Sequence, residues 1–170
     1  MYKRQVLAQV LRGELDVGFH LDADDGDAAA LAPLAARTLT RFTYRVVAPA
    51  GWGPQVLGRD WKALAALPWL ATPPESAHHR LLDKVFGPLG LSPRRVALVD
   101  QEASMLDLLK SGVGLSLLRD SIAIRESQSH GLVMADRVQL DCALRFVSLA
   151  ARRNEPVIAS AWNALARAWH

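Results

Sequence analysis

Cysteine is nearly absent from this sequence of 170 residues, in which Cys142 stands alone. One cysteine excludes an intrachain disulfide and any zinc site that is built from several thiolates. A chain without disulfides suits a reducing compartment, so the sequence predicts a cytoplasmic protein. The sequence leads us to expect neither a bound metal nor a cofactor.

Long apolar runs are lacking too, although 51% of the residues are hydrophobic. A membrane-spanning helix needs about 20 consecutive, mostly apolar residues, and no stretch approaches that length. The chain opens like a signal peptide, with Lys3 and Arg4 before a few apolar positions, but Gln9 and Arg12 interrupt the run. The sequence therefore predicts neither a membrane anchor nor a secretion signal.

An excess of one charge is also missing. Lys and Arg total 20 against 17 acidic residues, which gives a net charge of +3, and no basic block is longer than two residues. So small an excess argues against a nucleic-acid surface in this chain. With 22% charged and 51% hydrophobic residues, the chain can bury a core as one domain or as two small lobes.

Among the features that are present, residues 11–19, LRGELDVGF, are the most informative. Apolar residues at helical spacing lead up to Gly13, which predicts that a helix stops there. Residues 15–19 then alternate between apolar and other side chains, as a strand does. Residues 22–30 are acidic or small and predict a loop.

The rest of the chain alternates between short helical and extended patterns. Extended segments are predicted at residues 31–39, 42–48, 69–71, 95–99, 114–118, 132–134 and 144–150. Helices are predicted at residues 61–66, 76–89, 103–110 and 121–128, and Asp60 is predicted to cap the first of them. A last helix, capped by Asn154, buries one face that includes Val157. Alternation with such short connections predicts a mostly parallel sheet covered by helices.

Seven short segments, in their order and spacing, resemble the ligand-sensing domain of LysR-type transcriptional regulators. They are residues 11–19, 46–51 (VVAPAG), 61–69 (WKALAALPW), 90–93 (GLSP), 109–118 (LKSGVGLSLL), 146–148 (FVS) and 152–156 (RRNEP). Each segment is weak alone, and the specificity lies in their combination along nearly the whole chain. The resemblance implies a small-molecule sensor that catalyses no reaction.

The resemblance also implies a fold, an α/β architecture like that of type 2 periplasmic binding proteins. Such a protein has two α/β lobes that are joined by two crossing strands and hold ligand between them. The crossing strands would be residues 44–50 and 144–150. Lobe I would comprise residues 1–46 and 147–170, and lobe II would comprise residues 47–146.

Two departures from the family pattern concern the start of the chain. Regulators of this family begin with a helix-turn-helix DNA-binding domain, and the sensor itself opens with a strand-helix-strand unit of about 30 residues. We therefore expect that Met1 is not the natural start, that lobe I is incomplete, and that an exposed apolar edge makes the fragment aggregate. The resemblance implies that the intact protein is a homo-oligomer and contacts DNA only through a domain outside this chain.

Ser76 stands where the helix after Pro73 and Pro74 should begin. Free backbone N–H groups at a helix start favour a carboxylate or a phosphate, and the Ser76 hydroxyl can add a donor. Simple N-capping by Ser76 is the alternative. Taken with the resemblance, the pattern makes Thr72, Pro73 and Ser76 candidate effector-binding residues.

A second group, Gln101, Glu102 and Ser104, follows the next predicted strand. Open α/β sheets usually bind ligands where strands lead into helices, which makes these three residues candidates as well. A capping box between Ser104 and Asp107 is the alternative interpretation.

His20 and Leu21 follow the strand at residues 15–19, and the resemblance places them at the mouth of the ligand cleft. His20 can hydrogen-bond an effector or respond to pH, while a solvated histidine is the alternative. The effector is expected to be small and either anionic or aromatic.

Patterns that suggest other chemistry are weaker. His78 and His79 are adjacent, so on a helix they point about 100° apart and cannot hold one metal ion as an i, i+4 pair can. The aspartates within residues 22–27 lack the later glutamate of an EF-hand loop. Residues 112–114, GVG, follow a helix, which predicts a helix stop and a tight turn and argues against a phosphate loop.

Two other functions stay open at the level of sequence. One is a solute-binding protein of the same fold, which the missing signal peptide disfavours. The other is a small hydrolase built on Ser76 and His78, although no third group is spaced to orient that histidine.

Overall fold

The structure, a computed structural model, describes residues 3–24 and 32–169. Its helices are α1 Lys3–Leu11, α2 Gly53–Val56, α3 Trp61–Ala65, α4 Ala77–Phe86, α5 Glu102–Lys110, α6 Asp120–His130 and α7 Pro156–Ala168, with a 3-10 helix at Ala150–Arg152. Its strands are β1 Val17–Ala23, β2 Leu34–Ala48, β3 Pro68–Ala71, β4 Arg94–Leu98, β5 Ser116–Arg119 and β6 Val133–Leu149. Within the described ranges, no helix has the length and apolar character that a membrane crossing requires.

The chain divides into two compact units. Unit 1 comprises residues 1–41 and 142–170, and unit 2 comprises residues 42–141. The two longest strands, β2 and β6, each run from one unit into the other along the chain. The strands β1, β6, β2 and β5 are hydrogen-bonded in that order, and β3 and β4 form a separate pair.

Unit 1 is built on the antiparallel pairing of β1 with β6, from Val17 opposite Ser148 to Ala23 opposite Cys142. Helix α1 packs Val6 and Val10 against one face of these strands, and a Cβ atom on Gly18 would collide with Val6, so the glycine permits the close approach. On the other face, α7 packs Ile158, Trp162 and Leu165 against Phe146. The indole N–H of Trp162 donates to Ser148 Oγ at 3.0 Å, which satisfies the polar end of a buried aromatic side chain.

In unit 2, β2 pairs with β5 antiparallel and β3 pairs with β4 in parallel. A parallel bridge from Trp69 to Leu115 brings β3 beside the start of β5. The core of this unit is a set of buried apolar side chains on β2, β3, α5, β5 and α6 and on the residues just after β4 and α6. It contains Val47, Leu70, Val99, Met105, Leu109, Leu118, Ala123 and Leu132.

The structure corrects the predicted number of strands. The separate extended segments predicted at 31–39 and 42–48 belong to the single strand β2, and those at 132–134 and 144–150 belong to β6. Residues 34–48 and 133–149 contain neither glycine nor proline, so nothing in them forces a turn. Their central polar residues lie exposed on continuous strands.

The prediction of a mostly parallel sheet is wrong. The β1–β6 and β2–β5 pairs are antiparallel, and β3–β4 is a parallel pair. A helical crossover returns the chain in the same direction, which is why β3 and β4, joined through α4, run parallel. The paired segments of β1 and β6 lie far apart in sequence, so no single crossover sets their direction.

Helix ends were predicted with mixed success. Gly13, with φ of 72°, follows α1, and Asp60 Oδ1 accepts the Ala63 N–H at 2.9 Å to cap α3, as the sequence indicated. The predicted N-cap Asn154 is wrong because α7 begins one residue later, after Glu155, whose carboxylate binds Arg152 at 2.7 Å. Val157 is 73% exposed, so it does not belong to the buried face of α7.

Candidate functional site

The loop between β3 and α4 contains the first group of candidate residues. Ser76 is the N-cap of α4, and its Oγ accepts the backbone N–H of His79 at 3.1 Å. Thr72 is buried, and its Oγ1 lies 2.5 Å from Ser76 Oγ, while Pro73 between them is half-buried. The structure therefore brings the hydroxyls of Thr72 and Ser76 together at the start of a ten-residue helix.

The hydroxyl pair of Thr72 and Ser76 has one O–H group that their mutual hydrogen bond does not use. Two hydroxyls carry two protons, and their mutual hydrogen bond uses one of them. The bond from His79 N–H uses a lone pair of Ser76 and no proton. The remaining O–H can therefore donate to an anion at this loop, where the positive end of the α4 helix dipole also favours negative charge.

The side chain of His79 connects the β3–α4 loop to helix α4. Its Nδ1 lies 3.2 Å from the Thr72 carbonyl oxygen, and its Nε2 lies 3.0 Å from Asp83 Oδ2. Both partners are acceptors, so both hydrogen bonds form when the ring carries two protons. Arg95 lies 3.6 Å from the other oxygen of Asp83. The sequence analysis considered His79 as a metal ligand and did not predict this role, although the i, i+4 spacing to Asp83 was a usable signal.

A small pocket lies beside this loop, with room for about one water molecule. It is lined by Trp69, Leu70, Ala71, Thr72, His79, Leu82, Pro93 and Arg95. The pocket is mainly apolar.

The two adjacent histidines have different surroundings. The ring of His78 packs edge-on against Tyr44 at 4.8 Å, whereas His79 turns toward Asp83. This divergence matches the 100° separation expected of neighbours on a helix. In the described part of the chain, no three His, Cys, Asp or Glu residues are grouped as metal ligands.

The second group of candidates lies at the start of α5. Gln101 is the N-cap of α5 and makes no side-chain cap bond, and Gln101, Glu102 and Ser104 are all exposed. The alternative capping box of Ser104 with Asp107 is wrong, because Ser104 lies inside the helix, two residues after its first residue, and does not occupy the cap position. Effector binding by these three residues stays a prediction.

His20 and Leu21 lie within β1 in unit 1, one and two positions after residue 19, where the predicted strand ended. His20 is 4% exposed and Leu21 is 1% exposed, so the alternative of a solvated histidine is wrong. His20 Nε2 lies 3.5 Å from Asp22 Oδ2, and its Nδ1 is buried without a hydrogen-bond partner among the described residues. The effector-binding role of both residues stays a prediction.

Arg145 is a polar residue of unit 1 that the sequence reasoning missed. It pairs with His20 across the β1–β6 ladder and is 9% exposed. Its guanidinium donates to the carbonyl oxygens of Ala23 at 3.5 Å and Asp24 at 3.1 Å, so it holds the chain where β1 ends. A single arginine within the apolar run of residues 142–149 was the signal.

The acidic loop that follows β1 is only partly described. Asp24 Oδ2 lies 2.9 Å from Arg41 Nε, and Asp24 Oδ1 lies 3.4 Å from Arg145 Nη2. These two ion pairs balance the negative charge of Asp24 within unit 1. Asp25 and Asp27 lie outside the described residues.

The family of the chain follows from comparison with known proteins. The model of the LysR substrate binding domain matches residues 1–169. The chain belongs to the LysR substrate binding domain family. A search of curated proteins gave no match.

Solved structures of LysR-type regulatory domains share the fold. The regulatory domain of a HypT mutant from Salmonella typhimurium is 16% identical, with a TM-score of 0.66 over 96% of this chain and 79% of that chain. The CcmR regulatory domain from Synechocystis PCC6803 with 2-PG is 12% identical, with a TM-score of 0.69 over 99% and 80%. The QuiR effector-binding domain with shikimate is 13% identical, with a TM-score of 0.62 over 94% and 74%.

These comparisons confirm the predicted fold class. This LysR substrate binding domain has the type 2 periplasmic-binding-protein-like fold that its motifs implied. Identities of 12–16% carry the architecture and leave the ligand undefined, because side chains at a site change freely on a shared fold.

Proposed function

We propose that this chain senses a small-molecule effector for a LysR-type transcriptional regulator. The observation that carries the proposal is the match of the LysR substrate binding domain model to residues 1–169. QuiR with shikimate and CcmR with 2-PG support it, since each is a regulator domain of the same fold with a small molecule bound.

We infer that the effector is anionic and that the β3–α4 loop binds it. Thr72 and Ser76 together have one O–H that their mutual hydrogen bond does not use, and the start of α4 provides the positive end of a helix dipole, whereas this loop presents no carboxylate other than the exposed Glu75. Pro73 narrows the conformations of the loop because its φ is fixed. Hydrogen bonds from such donors orient a small anion while apolar neighbours exclude water.

The remaining candidates complete the proposed set of effector-binding residues. Gln101, Glu102 and Ser104 are exposed at the start of α5, where polar side chains are free to contact a ligand. In unit 1, the buried Nδ1 of His20 has no hydrogen-bond partner among the described residues, which favours a polar ligand nearby, and Leu21 is an apolar neighbour.

We propose that signalling requires parts of the regulator outside this chain. A helix-turn-helix domain would contact DNA, and a homo-oligomer in the cytoplasm would change its arrangement when the effector binds one state better than another. The domain itself would be a sensor without catalytic activity, as the match to the LysR substrate binding domain model leads us to expect.

A ligand panel tests the function directly. The purified chain is heated with small carboxylates and phosphates, shikimate and 2-PG among them, and with uncharged sugars as the control. A binding anion stabilises the folded state by about 2.7 kcal/mol at one hundred times its dissociation constant, so the unfolding temperature rises with its concentration. An unfolding temperature that no anion in the panel raises would contradict the proposal.

A further inference from the structure

Arg119 of unit 2 is an exposed cation at the end of β5. Its guanidinium carbon lies 4.6 Å from the centre of the Phe42 ring. Among residues 3–24 and 32–169, no carboxylate forms an ion pair with it, and the adjacent Asp120 is bound to Arg45 at 2.6 Å. The N–H donors of the Arg119 guanidinium therefore have no acidic partner within the described chain.

The place of Arg119 in the sheet suits ligand binding. Strand β3 pairs in parallel with β4, and the bridge from Trp69 to Leu115, just before β5, is also parallel. Thr72 directly follows β3, and Arg119 is the last residue of β5. Ligands of open α/β sheets usually bind beyond the carboxyl ends of the strands. Thr72 and Arg119 therefore lie at the same edge of unit 2, the one where a ligand is expected.

The register of β2 with β5 determines which face the Arg119 side chain occupies. Tyr44 is directly opposite Arg119, and residues opposite each other in an antiparallel pair project from the same face. Phe42, two positions before Tyr44, shares that face. The His78 ring, two residues after Ser76 in the first turn of α4, packs against Tyr44. Arg119 and the start of α4 therefore lie on one face of the strands.

A row of aromatic rings separates the Arg119 guanidinium from the start of α4. The ring centres of Phe42 and Tyr44 are 5.4 Å apart, and those of Tyr44 and His78 are 4.8 Å apart. Phe42 and His78 are half-buried, so part of the row is exposed. Aromatic surface excludes water and strengthens charged contacts beside it. A donor at each end of such a surface suits a carbon skeleton with an anionic group at each end.

Negative charge at the same edge makes a cation necessary for a second anionic group. Asp100 and Glu102 follow β4, and both are exposed. Carboxylates repel an anion that approaches within about 10 Å, the distance over which salt screens exposed charges. Arg119 is a cation at this edge that no described carboxylate neutralises, so it can offset this repulsion.

We propose that Arg119 is a specificity-determining residue, which selects an effector with two carboxylates over one with a single carboxylate. One carboxylate accepts the free O–H of the Thr72 and Ser76 pair, and the other accepts two N–H groups from the Arg119 guanidinium. The planar guanidinium matches a carboxylate with two parallel hydrogen bonds. The inference rests on the proposed function, because it takes the β3–α4 loop as the site of the first carboxylate.

Calorimetric titration of the purified chain with matched acids tests the selection. The pairs are succinate with butyrate, glutarate with pentanoate, and adipate with hexanoate, so the members of a pair have the same number of carbon atoms. The dicarboxylate whose length fits should bind about tenfold or more tightly than its matched monocarboxylate, because it gains a charge-assisted, two-point contact.

Variants of Arg119 assign that difference to the guanidinium. Arg119→Gln removes the charge and the two-point contact, so the dicarboxylate should bind as weakly as its monocarboxylate, whose own affinity stays nearly unchanged. Arg119→Lys keeps the charge without the planar guanidinium and should give an intermediate ratio. Arg59→Gln, an equal loss of charge at an exposed residue before α3, should leave the ratio unchanged.

The outcomes separate this inference from the function on which it rests. If no dicarboxylate binds more tightly than its monocarboxylate, or if Arg119→Gln leaves the ratio unchanged, Arg119 does not select the effector. The sensing function then still stands on any other anion of the ligand panel that binds. If no anion of either set binds, the proposed function fails and this inference fails with it.

Discussion

Ser76 shows how one residue can cap a helix and still have a hydrogen-bond donor available to a ligand. Its lone pair accepts the His79 N–H, and the proton that it shares with Thr72 leaves one O–H free for a ligand. Capping and effector binding, which are alternatives when only the sequence is considered, are therefore compatible in the structure. The two roles also separate experimentally, because one affects stability and the other affects affinity.

The capping role predicts a defined loss of stability. Ser76→Ala removes the acceptor of the His79 N–H and should lower the free energy of unfolding by about 1 kcal/mol. Asp60→Ala removes a cap of the same geometry from α3 and should lower it by a similar amount. Urea unfolding followed by tryptophan fluorescence measures both, and an unaffected Ser76→Ala would mean that the α4 cap is absent in solution.

Glu126 is a buried carboxylate away from the candidate site. Its side chain is 5% exposed, and Lys110, Arg125 and His130 surround it at 2.8, 3.1 and 2.8 Å. The hydrogen bond from Lys110 lowers the pKa of Glu126 despite its burial. The ionised form is therefore the one that stabilises the folded state.

This shift predicts a pH-dependent effect of Glu126→Gln. Because the folded-state pKa lies below the usual value near 4.5, the stabilisation is fully present above that pH and is lost as the pH falls through the folded-state pKa. Glu126→Gln should unfold at lower urea than wild type at pH 7, with the difference shrinking below about pH 4.5. Glu102→Gln, at an exposed residue, is the control, and a difference that stays constant with pH would contradict the assignment.

Single residues also show what the sequence could not predict. The caps at Asp60 and Ser76 depend on neighbours within four residues, and local patterns indicated both. The burial of His20 and its pairing with Arg145 depend on a ladder between positions more than 100 residues apart. No local pattern carries that information, so the sequence was equally consistent with a solvated His20.

At the scale of elements, the close approach of β3 to β5 depends on a glycine. A Cβ atom on Gly114 would lie 2.6 Å from the Pro68 carbonyl oxygen, which itself accepts the Leu115 N–H at 2.8 Å. The obstacle is backbone, which cannot rotate away as a side chain can. Gly114 therefore permits the bridge that brings these two strands together.

Gly114→Ala should therefore destabilise the protein by about 1–3 kcal/mol through overpacking. Gly53→Ala is the matched control, since its added Cβ would meet the Leu57 side chain at an ordinary 3.6 Å. Thermal unfolding should show a lower midpoint for Gly114→Ala and little change for Gly53→Ala. Equal midpoints for the two variants would mean that β3 and β5 are farther apart than the structure shows.

Elements were predicted better in type than in extent. Short helices with flanking turn residues, such as α3 and α5, were placed within one residue of their bounds. The long strands β2 and β6 were each divided in two, because their exposed polar midsections look like loops in a sequence. The predicted strand direction was wrong because it depends on which distant segments of the chain pair with each other. The pairing of His20 with Arg145 could not be predicted for the same reason.

At the scale of the whole molecule, the family could be predicted although the strand count could not. Residues 11–19 and 109–118 each include a tight turn, at which Gly13 and Gly112 have positive φ. Such positions tolerate few residue types, so they carry a recognisable pattern. Side chains that bind an effector must match that particular ligand and therefore vary between proteins of one fold. The family motifs consequently leave the effector undefined.

The central claim is that the Thr72 and Ser76 hydroxyls donate to an anionic effector, and calorimetric titration of paired variants tests it most directly. The titrant is the anion that binds tightest in the ligand panel. Thr72→Val and Ser76→Ala each keep one free O–H, whereas the double variant keeps none. The double variant should bind about 1–3 kcal/mol more weakly, or roughly 5- to 150-fold, and each single variant should lose less.

Asp60→Ala is the control in the same titration, because it removes an equivalent cap and keeps both hydroxyls. Wild-type affinity in Asp60→Ala, together with the full loss in the double variant, is the predicted result. An affinity in the double variant equal to that of wild type would contradict the account.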